Sequence, residues 1–418
     1  MILYIDPGTG SMLFTVLLGL IGAAVYSLRM LFIKLRFAIS GGKVKADNKK
    51  IPIAIFADDK RYWTIFEPIC RELNKRGVDV LYMTASPDDP GLDNPYEHVR
   101  GEYIGAGNKA FSKLNFLNAT ILFSTTPGLD VYQWKRSKNV DYYIHIFHAA
   151  GDICLYRMFG IDYYDALMIA GEYQEQDIRQ LEQKRGLPAK ELVTVGIPFM
   201  DEMVTRLATT GPAPEHPRTV LLAPTWGPSA IFSIHGGKII EKLLETGYHV
   251  IVRPHPQSFT SEAEMMEKLM KEYPQSDQLE WNRDTDNFEV LRRSDILISD
   301  FSGVVFDFSL VYDKPVIYTD PNFNLDPYDA WFLDHQLWTC SALPRIGQEL
   351  NMDTLDNIKE LIDTCLSDPS RAQGRQEVRN ETWAYPGEGA VRAADYLIAK
   401  YEELTQTEKE RGVADVRS

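Results

Sequence analysis

At 418 residues, 44% hydrophobic and 25% charged, the chain has the make-up of a folded protein with room for two domains, which excludes a disordered chain. A formal net charge of −15 argues against nonspecific nucleic-acid binding, whose footprint is a basic surface, but leaves phosphate chemistry open, since a site needs only local positive potential. Cys70, Cys154, Cys340 and Cys365 stand far apart with no C-x-x-C pair, so neither a zinc site nor a disulfide scaffold is expected, and a reducing compartment fits.

Met12 to Leu28 reads MLFTVLLGLIGAAVYSL, without a charge, and Arg29, Lys34, Arg36, Lys43, Lys45, Lys49 and Lys50 follow it. This predicts a single transmembrane helix with a basic juxtamembrane segment over residues 1–50. A cleaved signal peptide would carry its positive charges ahead of the apolar run, not after it. The positive-inside rule then puts everything beyond about residue 30 on the cytoplasmic side of the membrane. A helix lying in the membrane interface is the alternative.

From Ile51 onward short apolar runs alternate with helical periodicity. IPIAIFAD (51–58), VDVLYMTA (78–85), ATILFSTTPG (119–128), DYYIHIFHAAG (141–151), ALMIAG (166–171) and LVTVGIP (192–198) read as buried strands. RYWTIFEPICRELNKRG (61–77) and EYQEQDIRQLEQKRG (172–186) read as helices closing on glycine. The proline-rich stretch 208–218 reads as a linker, after which the same alphabet restarts. TVLLAPTW (219–226), YHVIVRPHP (248–256), DILISD (295–300) and KPVIYTD (314–320) are strands, with helices at 236–247 and 302–313. The expected fold class is α/β, with two doubly wound Rossmann-like domains (51–207 and 216–402) after the membrane helix and a polar tail over 403–418.

In such sheets ligands sit outside the carboxyl ends of the strands, so the strand-end residues are the candidates. IVRPHP delivers Arg253 and His255 on a turn stiffened by two prolines, and a cation with an imidazole suits phosphate oxygens. ILISDFSGVVFD delivers Ser299 and Asp300 into a turn, then Ser302 and Gly303 where a helix begins. Asp307 follows one turn further on, where its carboxylate can accept polyol hydroxyls. Pro224 and Thr225 leave the strand in APTW, beside Trp226. His148 falls at the end of the YYIHIFH strand, where an imidazole can act as general base toward an acceptor hydroxyl. A satisfied core histidine is the alternative there, and equally for His145. No P-loop, GxSxG elbow, HExxH or acidic metal cluster occurs, so a mechanism without metal or cofactor is expected.

Together His148, VGIPFMD (195–201), APTW (223–226), RPHP (253–256), SDFSGVVFD (299–307) and KPVIYTD (314–320) resemble the CDP-glycerol glycerophosphotransferase family of teichoic-acid-type polymerases and primases, which are GT-B-like in fold. The resemblance implies that His148 is the base for the acceptor hydroxyl, and that Arg253 and His255 contact the donor phosphates. It also implies that Pro224, Thr225, Ser302, Gly303 and Asp307 complete the site for CDP-glycerol or a similar nucleotide donor. The acceptor it implies is a lipid-linked or glycan hydroxyl, and the reaction is attack on the β-phosphate with release of CMP. Three departures stand out. Phe147-His148-Ala149-Ala150-Gly151 replaces a Trp-His-Gly-Thr-Pro-type segment, Phe199 stands where Arg is common, and Gly303 where Ser is common. A GT-B nucleotide-sugar glycosyltransferase and a non-catalytic membrane-tethered binding protein are the alternatives.

Overall fold

The computed structural model describes residues 50–417, apart from 285, 320–323 and 327. The apolar run 12–28 lies outside the described residues, and among the described residues no helix is long and apolar enough to cross a membrane.

The strands form two sheets. The first contains β1 (Ile51–Ala57), β2 (Val80–Thr84), β3 (Val99–Tyr103), β4 (Ala119–Ser124), β5 (Val140–Ile146), β6 (Ala166–Ile169) and β7 (Glu191–Thr194), in the order β3-β2-β1-β4-β5-β6-β7. The second contains β8 (Thr219–Leu222), β9 (His249–Val252), β10 (Leu279–Trp281), β11 (Ile296–Ser299), β12 (Val316–Thr319) and β13 (Gly347–Leu350), in the order β10-β9-β8-β11-β12-β13. Every ladder is parallel. The inner strands are buried along their whole length and mostly apolar because helices cover both faces, as parallel sheets require. The helix Trp63–Lys75 ends where Gly77 turns the chain at φ 70°, a left-handed conformation that glycine adopts without a Cβ penalty.

The chain crosses between the two sheets more than once. After β12 the segment around Ala330, Phe332, Leu337 and Cys340 buries its apolar side chains in the core of the first sheet. The helix Trp338–Ile346 then turns Ala342, Leu343 and Ile346 into the core of the second. Asp152, in the loop after β5, caps that helix, taking the N–H groups of Trp338 (2.6 Å) and Thr339 (2.9 Å). Further along, Arg185 donates to Asp162 at 2.6 Å and also to Asp329; all three side chains are nearly sealed from water. Removing one partner of such a buried ion group costs roughly 3–5 kcal/mol, because the others are left uncompensated.

The last helix, Gly389–Arg417, returns to the first sheet, where Ala393, Ala394 and Leu397 pack against Ile53, Ile55 and Ile69. The sequence places this stretch with the second half. It packs on the first, and the helix continues through the stretch expected as a polar tail.

Candidate active site at the strand tips

Each sheet reverses its winding once, between β1 and β4 in the first and between β8 and β11 in the second. Loops diverge at such points and leave a crevice past the carboxyl ends of the strands.

In the second sheet, Ser299 and Asp300 are fully buried. The Ser299 hydroxyl donates to the Ala223 carbonyl at 2.6 Å, tying β11 to β8. Asp300 accepts the N–H groups of Thr225 (3.0 Å), Ile231 (3.2 Å) and Ser302 (3.3 Å), and burial raises its carboxyl to about 6. Both residues shape the tip from inside, and their polar atoms are already engaged. Thr225, Ser302 and Gly303 stay half-exposed at the crevice, while Pro224 is buried beneath them. Arg253 leaves β9, and its guanidinium donates to Asn282 and, at 2.8 Å, to the Asp284 carbonyl. His255 Nδ1 accepts the Gln257 N–H at 3.1 Å, so Nε2 carries the ring proton. Burial, and after it the charge of Arg61, holds His255 down at about 4.

In the first sheet, β5 ends at Ile146, so His148 stands in the loop beyond the strand and not on it as the alternation suggests. The Thr125 hydroxyl donates to the Ile146 carbonyl at 2.7 Å and therefore turns a lone pair toward His148 Nδ1, 3.1 Å away. This network assigns the proton to Nδ1 and leaves Nε2 with its lone pair. Burial, then Arg61 and His255, holds His148 at about 4, so it is neutral at pH 7. Its ring is half-exposed and lies 5.0 Å from the Tyr62 ring and 6.2 Å from that of Tyr156. His145 differs: it is fully buried among Phe147, Tyr156 and Tyr164, with Nε2 3.2 Å from the Tyr156 hydroxyl. It is the core histidine of the two.

His148 and Gly303 share one cavity of about 180 Å³, lined from the first half by Phe147–Asp152 and Tyr156 and from the second by Phe301, Gly303 and Phe306. A Cβ on Gly303 would come within 3.3 Å of the Ala149 Cβ. Two of the family departures are thus opposite walls of one narrow place, each small where the other approaches. The third, Phe199, packs against the cores of both sheets, which leaves no cation at that position. A larger open groove of about 560 Å³ lies near Lys242 and Asp363, and its charges are spent on pairs such as Lys242–Glu245 and Lys359–Asp363.

Asp307 begins a π-helical turn, Asp307–Val311, the kind of irregularity that recurs at functional sites. It is buried with Asn287 Nδ2 3.5 Å away, and burial raises its carboxyl to about 7. The unfolded value is near 4, so the neutral carboxyl stabilises the fold below that pH, and the contribution is lost as pH rises through about 7. Asp307→Asn is expected to melt like the parent below about pH 4, to pull ahead of it progressively between about pH 4 and 7, and to stay above it at pH 9, by on the order of 4 kcal/mol. Equal melting curves at pH 9 would remove this account.

Asp152, Cys154 and Asp177 bring ligand atoms within 4.8 Å of one another. Both Asp152 oxygens are taken by the helix cap, and Asp177 is held by His335 at 2.8 Å, so the group is a capping cluster.

A sequence model of the family described as CDP-Glycerol:Poly(glycerophosphate) glycerophosphotransferase matches residues 161–331, which include the APTW, RPHP and SDFSG tips. Over those residues the chain resembles the CDP-glycerol glycerophosphotransferase family. The chain is accordingly a CDP-glycerol glycerophosphotransferase-like transferase. Its fold is similar to that of the wall teichoic acid polymerase TagF (TM-score 0.55, 16% identity, covering 91% of this chain and 98% of that one). It is also similar to the UDP-GlcNAc 2-epimerases of Neisseria meningitidis (TM-score 0.51, 12% identity, 83% and 99% covered) and Methanocaldococcus jannaschii (0.51, 11%, 83% and 99%). At these identities the likeness concerns the two-domain GT-B-like fold. No curated protein matches the sequence. Around the strand tips, Asp58, Arg61, Tyr62 and Thr125 are residues that sequence reasoning did not nominate. The strand-tip rule applied to IFAD at the end of β1 would have named Asp58.

Proposed function

We propose that this protein transfers glycerol phosphate, or a related polyol phosphate, from a CDP-activated donor to a hydroxyl of a lipid-linked or glycan acceptor in cell-envelope polymer synthesis. The observation that carries this reading is the neutral His148 with a free Nε2, set in one cavity with Gly303 of the family's donor-side motif. In this reading Nε2 takes the acceptor hydroxyl proton, and the oxygen attacks the β-phosphorus of the donor. The bond to the bridging oxygen breaks, and CMP departs with its electron pair. His255 Nε2–H donates to the diphosphate. The closing of charge on phosphate is met by fixed donors rather than by water, which lowers the barrier without reorganisation.

The apolar run 12–28 with the basic stretch after it supports a single-pass anchor holding the catalytic halves at the cytoplasmic face of the membrane. The test is to incubate membranes bearing the protein with CDP-alcohols and nucleotide sugars and identify the nucleotide released. CMP is expected. Release of UDP or GDP would replace this reading with sugar transfer, and saturable binding without turnover would replace it with a binding protein.

A further inference from the structure

The reversal point of the first sheet holds a group of polar side chains separate from the donor-side tips described above. Asp58 leaves β1 and Thr126 leaves β4, and the Thr126 hydroxyl donates to Asp58 Oδ1 at 2.8 Å. The Thr126 carbonyl is itself fixed by the Tyr164 hydroxyl at 2.5 Å. The residue before it, Thr125, orients His148. A single tip thus holds the Asp58 carboxylate on one side and the imidazole on the other.

Arg61 and Tyr62 close the group. Asp59 Oδ1 accepts from Arg61 Nε at 2.9 Å, which fixes the side chain and leaves both terminal NH2 groups free of that bond. The guanidinium lies 5.8 Å from the Tyr62 ring, and that ring 5.0 Å from His148. Asp58 is exposed, and Arg61 and Tyr62 are half-exposed. Yet the surrounding tips crowd Asp58 enough to raise its carboxyl above the usual range. Exposure together with crowding describes a group on the wall of a concavity. The charge of Arg61 reaches both His148 and His255, so it stands where the two halves face each other.

A carboxylate with one oxygen pinned accepts hydroxyls on the other, and a guanidinium with Nε tied still offers a phosphate two parallel donors. We propose that the β1–β4 tip is the acceptor subsite: Asp58 accepts hydrogen bonds from the terminal polyol hydroxyls, and Arg61 holds the phosphate of the acceptor's last unit. Tyr62 covers them, so that one hydroxyl meets Nε2 of His148. This rests on the transfer reaction proposed above. The switch point of the second sheet then serves the donor and that of the first the acceptor, one crevice to each substrate.

The test uses the full-length protein, CDP-glycerol as donor, and glycerol or glycerol 3-phosphate as soluble acceptors, with CDP affinity measured separately by calorimetry. The parent protein should prefer glycerol 3-phosphate. Arg61→Gln should raise its KM about tenfold and erase the preference, the loss expected for a charge-assisted hydrogen bond. Asp58→Asn should raise KM for both acceptors, and both variants should bind CDP as the parent does. Thr126→Ala, which frees Asp58, should act in the same direction and serves if Asp58→Asn does not fold. Loss of CDP affinity in Arg61→Gln with unchanged acceptor KM would assign Arg61 to the donor and overturn the proposal, as would an unchanged KM in Asp58→Asn. If the parent releases no CMP at all, the transfer reaction itself fails. The subsite is then judged by titrating glycerol 3-phosphate alone, and absence of saturable binding sinks it.

Discussion

Replacing His148 with alanine is expected to lower kcat by about 10²–10⁴-fold while leaving CDP affinity within a few-fold of the parent, the usual contribution of a positioned general base. The prediction follows from two hydrogen bonds and a cavity. The Thr125 hydroxyl oxygen accepts a hydrogen bond from His148 Nδ1–H, the Ile146 carbonyl accepts one from the Thr125 hydroxyl, and Nε2 keeps its lone pair in the cavity shared with Gly303. The pH dependence adds a second readout. The free protein holds His148 at about 4, so the active base is already neutral through pH 5–8. The acid limb of kcat/KM should therefore fall only as pH drops toward 4, with a plateau above. A bound diphosphate brings negative charge beside the ring and favours its protonated form, so the limb of kcat should lie at higher pH than that of kcat/KM. His148→Ala should erase the limb altogether. Full turnover in that variant, or a limb that survives the substitution, would remove His148 as the base.

The second large effect is expected at His255. Gln257 holds Nδ1 through its N–H, which leaves Nε2–H as a donor with a fixed direction, and burial keeps the ring uncharged. Removing one donor to a phosphate oxygen costs roughly 1.5–3 kcal/mol, so His255→Ala should weaken donor binding roughly tenfold to a hundredfold. His255→Gln, which keeps an N–H at similar reach, should recover part of the loss, whereas His255→Leu should recover none. Calorimetric titration with CDP separates these outcomes. Unchanged affinity in His255→Ala would take the donor site elsewhere.

The strands at the centre of both sheets are legible in the sequence because burial on two faces demands continuous apolar runs, as in IPIAIFA and DILIS. Of the four edge strands only β7, within LVTVGIP, is legible; β3 (VRGEY), β10 (LEW) and β13 (GQEL) are not, because they are short and partly solvated, and the alternating Val99 and Arg100 look like a loop. The helix over 302–313 is legible from its apolar spacing, but its passage into a π turn at Asp307 is a matter of hydrogen-bond register, which periodicity does not carry. Strand-tip reasoning finds the right places and cannot say which way a side chain turns. Ser299 carries the same hydroxyl as Ser302, and only the fold shows Ser299, together with Asp300, directed into the tip. Asp58 lies where the strand-tip rule points, but IFADD contains no motif to single it out, and its position beside β4 is a property of strand order. The cap that Asp152 gives to Thr339 joins residues 187 positions apart, a pairing no local pattern announces.

The return of the last helix to the first sheet has a consequence for how the chain is made. Synthesis delivers β1 to β7 long before Ala393, Ala394 and Leu397, yet those residues complete the apolar layer over Ile53 and Ile55. The nascent first half must therefore wait with a bare hydrophobic face, and its native contacts close only across almost the whole length of the polypeptide. Such late, distant closure slows folding and exposes an intermediate to aggregation, which makes this half a natural client for holding chaperones during translation. A premature stop ahead of Gly389 would leave a finished sheet without one of its walls.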